Sequence, residues 1–71
     1  MQRLPQAFTR VREGEWFCIA PLMFETRRGR VGVTPGVTYR RGKLILGFDV
    51  ADALDTWHAT GKLPPDVVLM P

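Results

Sequence analysis

From Arg27 to Gly47 the chain meets turn residues so often that only strands of four or five residues fit between them. The turns fall at Arg27-Arg28-Gly29-Arg30, at Pro35-Gly36 and at Arg40-Arg41-Gly42-Lys43. Between them the apolar residues alternate. Val31 shares a face with Val33, Val37 with Tyr39, and Leu44 with Leu46 and Phe48, as the period of a strand requires. Pro35-Gly36 suits the centre of a type II turn, because proline presets the first dihedral and glycine accepts φ > 0 at the second. The segment therefore reads as an antiparallel β-meander, with Pro35-Gly36 as a hairpin turn.

Upstream, Trp16-Phe17-Cys18-Ile19-Ala20, Pro21 and Leu22-Met23-Phe24-Glu25-Thr26 read as strand, kink, strand. Pro21 cannot donate to a ladder, so it belongs at a bulge or on an edge. Residues 1–15 lack a sustained period and are assigned to an irregular arm with a short edge strand near Ala7 to Val11; residues 16–71 are assigned to one compact domain. Beyond the meander a single helix is expected. Asp49 caps it, Asp52 stands at the positive end of its dipole, and Val50, Leu54, Trp57 and His58 form its apolar stripe. Gly61 suits the position after the last turn, and Pro64-Pro65 prevents continuation. The tail from Asp66 to Pro71 is apolar enough to pack as an edge strand or against a neighbouring chain. The fold class expected is α+β, a meander of three or four short strands with one C-terminal helix packed on it.

A chain of 71 residues has room for one hydrophobic core. Its 45% hydrophobic and 24% charged content suits a globular domain rather than a disordered tail. Cys18 is the single cysteine, which rules out an intrachain disulfide, and no Cys/His cluster suits a structural zinc. Self-association is the remaining reinforcement for so small a core. The N-terminus shows no continuous apolar h-region, and the longest apolar run, Trp16 to Phe24, is broken by Pro21 and falls short of the ~20 residues that span a bilayer. A cytoplasmic protein without a membrane partner is expected.

Catalysis finds little support. Cys18 and His58 lack an orienting third group or oxyanion loop at recognisable spacing, and a lone cysteine in an apolar strand reads as a small buried hydrophobe. Asp52, Asp55 and His58 recur along the helix, but the row drifts and lacks a second ligand segment, so it reads as a solvated acidic face rather than a metal site. The glycines form no phosphate-binding fingerprint, since none makes a Gly-rich turn leading directly into a helix. Neither a metal nor a cofactor is expected. A helix-turn-helix DNA reader is rejected as well, because the acidic helix has no recognition helix after it.

Charge distribution carries the functional reading. Residues 1–43 hold nine Arg and Lys against three Glu, whereas residues 44–71 hold one Lys against four Asp. The order Arg-Arg-Gly-cation-aliphatic occurs twice, at Arg27 to Val31 and at Arg40 to Leu44, and both copies suit hairpin tips with Gly29 and Gly42 at φ > 0. Arg27, Arg28, Arg30, Arg40, Arg41 and Lys43 would then form a phosphate-contacting rim for nucleic acid, provided the two tips meet at one end of the sheet. The alternative is a protein-interaction module, a regulator or inhibitor, acting through an exposed Trp16 or Phe17 and the apolar tail. Both readings are of a binding protein, not an enzyme.

Overall fold

The computed structural model describes residues 4–70. A short helix α1 (Leu4–Ala7) leads into β1 (Phe8–Arg12), which pairs antiparallel with β2 (Glu15–Cys18). The chain bends at Ile19 to Pro21 and continues as β3 (Leu22–Thr26), which forms a tight hairpin with β4 (Gly29–Val33) around Arg27-Arg28. At the bend, the Ile19 and Ala20 N–H groups both donate to the Ala7 carbonyl, so the kink is anchored to the start of the chain. Pro21 thus lies where the chain leaves one sheet for the other, a place that needs no ladder donor.

Further along come β5 (Thr38–Arg40), β6 (Leu44–Ile45), β7 (Phe48–Asp49), α2 (Val50–Thr60) and β8 (Val68–Leu69). Three small sheets result, ordered β1-β2-β5, β4-β3-β8 and β6-β7, and every pair is antiparallel. The α+β class with one long helix stands. The strands are shorter and more numerous than expected, and they are shared among sheets.

Two details of the expected meander are corrected. Pro35-Gly36 makes the turn its residues favour, with Gly36 at φ 87° and the Val37 N–H donating to Thr34 O at 3.3 Å, but β4 and β5 do not pair across it. Instead Gly36 N–H donates to Cys18 O and Cys18 N–H donates to Val37 O, so the turn hands the chain to β2 and the other sheet. Leu44, Leu46 and Phe48 do not share one strand either. Leu46 and Gly47 both take positive φ, 51° and 73°, and reverse the chain between β6 and β7. That two-residue, doubly left-handed geometry is the one favoured in tight hairpins.

The helix follows its sequence signals. Asp49 accepts a hydrogen bond from Asp52 N at 3.0 Å, and Gly61 closes the last turn at φ 78° with its N–H on Trp57 O. Val50, Ala51, Ala53 and Leu54 are buried, Trp57 is half-buried, and α2 packs across β5 and β2. On the other sheet, the Phe48 ring lies 5.5 Å from that of Phe24, so the β6–β7 hairpin covers β3. One core joins all of this, with Phe24, Leu54, Val31, Val50 and Cys18 fully buried. Leu4, Ala7 and Phe8 of the stretch assigned to an arm are buried in this core, and Phe8–Arg12 forms strand β1. The tail pairs as an edge strand, Phe24 opposite Leu69 and Glu25 opposite Val68. No helix of the described residues is long and apolar enough to cross a membrane.

Candidate functional site

The six cations expected to form one rim are divided between two sheets. Arg27 and Arg28 form the β3–β4 hairpin tip and Arg30 follows in β4. Arg40 ends β5, whereas Arg41, Gly42 and Lys43 link β5 to β6, so this second copy of the repeat is a connecting turn and not a hairpin tip. Its closure is local, with the Lys43 N–H donating to Arg40 O at 3.1 Å.

Carboxylates of the same chain engage three of the six. Arg27 meets Asp66 at 3.0 Å, Arg40 meets Glu15 at 3.5 Å, and Arg41 pairs with Asp55 and lies 3.8 Å from Asp52. Lys43 sits over the Tyr39 ring at 5.8 Å from its centroid. Arg28 and Arg30 form no ion pair among the described residues.

Arg41 belongs to a network that fastens α2 to the first sheet. The Asp55 side chain, 13% exposed, accepts from the Trp16 indole N–H at 2.9 Å and from the Arg41 guanidinium. Burial alone would raise the Asp55 carboxyl, but hydrogen bonds from Trp16, the Gly14 backbone and Arg41 outweigh it and hold it below the ordinary carboxylate value. The same bond pushes the Arg41 guanidinium up. Asp55 therefore does not stand on a solvated face. Sequence periodicity places it beside the apolar stripe, and nothing local signals that a tryptophan 39 positions away needs its oxygen.

Trp16 is not an exposed anchor. It is 3% exposed, and its ring meets Trp57 and His58 edge-on at 6.4 and 6.0 Å. Its indole N–H needs a partner once buried, and Asp55 supplies it. Phe17 points the opposite way in β2 and is half-buried, between Thr9 and Thr38 on the outer face of the sheet. The Cys18 thiol is buried, donates to Ala20 O, and is raised above its ordinary pKa by burial; His58 is exposed, with its ring edge-on to that of Trp16.

A concave site among the described residues lies elsewhere, where three segments converge. Thr26, Arg27 and Arg28 of the β3–β4 turn, Leu46, Gly47 and Phe48 of the β6–β7 turn, and Asp66-Val67 before β8 line a cleft of about 150 Å³. Thr26 fixes the first turn, its hydroxyl donating to Gly29 O at 2.8 Å and accepting from Arg28 N at 3.2 Å. The Arg28 guanidinium lies against Gly47, where a Cβ would come within 2.8 Å of Nη1. Leu46 remains 56% exposed at the mouth, with Leu44 and Val68 nearby in the chain at 60% and 59%. No protein family, curated protein or solved structure matches the chain.

Proposed function

We propose that this chain is a small, non-catalytic protein-interaction module. The observation that carries the reading is the contrast between engaged cations and unengaged apolar side chains. Three of the six expected phosphate contacts are paired with carboxylates of the chain, while Leu46 stands more than half exposed at the cleft and Leu44 and Val68 are more than half exposed on the strands that adjoin its turns. Large exposed side chains at a concave site are what a partner surface uses to displace water. A reducing compartment such as the cytoplasm suits the lone buried thiol of Cys18.

Salt separates this reading from phosphate binding. Six phosphate contacts on duplex DNA would give a log-log salt slope of about −5.4, and the three cations without a carboxylate would still give about −2.7. An interface resting on Leu44 and Leu46 is expected to change far less. Capture from the cells that make the protein should retain a protein partner after nuclease treatment and through a fourfold rise in salt, and lose it in Leu44→Ser. Recovery of nucleic acid alone, or of partners that vanish with nuclease, would overturn the reading.

A further inference from the structure

The cleft is too small for most cofactors and well matched to one side chain. Small-molecule sites usually enclose ~300–1,000 Å³, whereas this one offers about 150 Å³. An apolar cavity of that volume accepts a group the size of benzene. Its walls are Leu46, Phe48 and Val67, and its rim carries Arg27, Arg28 and Asp66. Arg27 and Asp66 satisfy each other at 3.0 Å, which leaves Arg28 as the rim charge without a carboxylate among the described residues. The positive charge lies beside the β6–β7 turn. Gly47 gives the Arg28 guanidinium a flat seat that any side chain would fill, and Thr26 holds the Arg28 backbone.

We propose that this cleft receives one aliphatic side chain of an acidic protein segment, and that Arg28 pairs with a carboxylate beside that side chain. The assignment rests on the protein-interaction reading and names the chemistry of the partner. The apolar walls select the aliphatic group, and the unpaired guanidinium selects an acidic neighbour. One side chain and one charge pair make a weak site. A segment of a larger partner answers that weakness, because its flanking residues can reach the exposed Leu46 and the open turn around Arg28.

The test is an amide-resolved NMR titration of the whole chain with a blocked peptide, Gly-Asp-Glu-Leu-Asp-Glu-Gly. Saturable shifts are expected at Thr26, Arg28, Gly47 and Val67. Replacing the central leucine by glycine should weaken binding at least tenfold, as should replacing the acids by their amides. Arg28→Gln, a change on an exposed turn, should do the same while leaving the rest of the spectrum in place. Equal response to the leucine and glycine peptides would overturn the proposal. So would shifts centred elsewhere, inorganic phosphate reproducing the pattern, or full binding by Arg28→Gln. The two readings fail separately: loss of the peptide result with a nuclease-resistant partner still captured through Leu44 would sink the cleft assignment alone, and capture of nucleic acid alone would sink the module.

Discussion

At φ 51° Leu46 occupies the left-handed region, where a Cβ crowds the backbone and where tight hairpins ordinarily place asparagine or glycine. The side chain recovers little of that cost by burial, since it is 56% exposed. Such a conformation costs on the order of 1–3 kcal/mol. Leu46→Asn should therefore stabilise the fold by about 1 kcal/mol, a rise in Tm of roughly 4–8 °C for a domain of this size. A thermal melt showing no rise would refute the strain. Cys18 makes the opposite case, a residue at ease. Buried and raised in pKa, its thiol should react with a thiol reagent at neutral pH far more slowly in the native chain than in the unfolded one. Equal labelling rates would show that the strand opens readily. Both residues differ in legibility. Cys18 could be read from its apolar neighbours, whereas Leu46 resembled a strand residue because the dipeptide Leu-Gly carries none of the side-chain chemistry that marks a hairpin turn.

Among the elements, α2 was the most legible and the strand pairing the least. Asp49, Asp52, Leu54 and Gly61 act within a few residues of one another, so their spacing alone defines the helix and its buried face. Leu54 is fully buried there, and Leu54→Ala should cost ~2–5 kcal/mol. Chemical denaturation would register this as a large drop in midpoint, and an unchanged midpoint would contradict the packing. Pairing depends on distant partners. The turn at Pro35-Gly36 was readable from its dihedral demands, yet whether β5 returns to β4 or crosses to β2 is decided by Cys18, far upstream, accepting from Gly36 and donating to Val37. The two Arg-Arg-Gly copies illustrate the same limit. The same Arg-Arg-Gly order gives a hairpin tip in one case and a connecting turn in the other, because β3 and β4 pair with each other whereas β5 pairs with β2 and β6 with β7.

Across the whole molecule, Asp55 ties stability to pH. Its folded pKa lies below the ordinary 3.8, so the stability it contributes is fully present above that value and is lost as pH falls through the lower, folded value. Melting temperature should hold from neutral pH to about pH 5, then fall below pH 4, more steeply than in Asp55→Asn. Identical acid profiles for the two proteins would count against the Trp16–Asp55–Arg41 network. The candidate site itself was partly legible. Its cations were visible as a basic repeat, but their division between ion pairs and open surface depends on Asp66, Glu15 and Asp55, which only the folded chain brings to them.

The pairing of β8 with β3 also implies an expected order in time. The β1–β2 and β3–β4 hairpins close over few residues, whereas Leu69 must find Phe24 across most of the chain, and long loops close slowly. Asp66 and Val67, the third wall of the cleft, lie directly before that strand. The cleft is thus completed only when the most distant pairing has formed, and a local opening that frees the two residues of β8 dismantles it while the hairpins persist. On the proposed function, competence to bind would be acquired late in folding and lost early in unfolding.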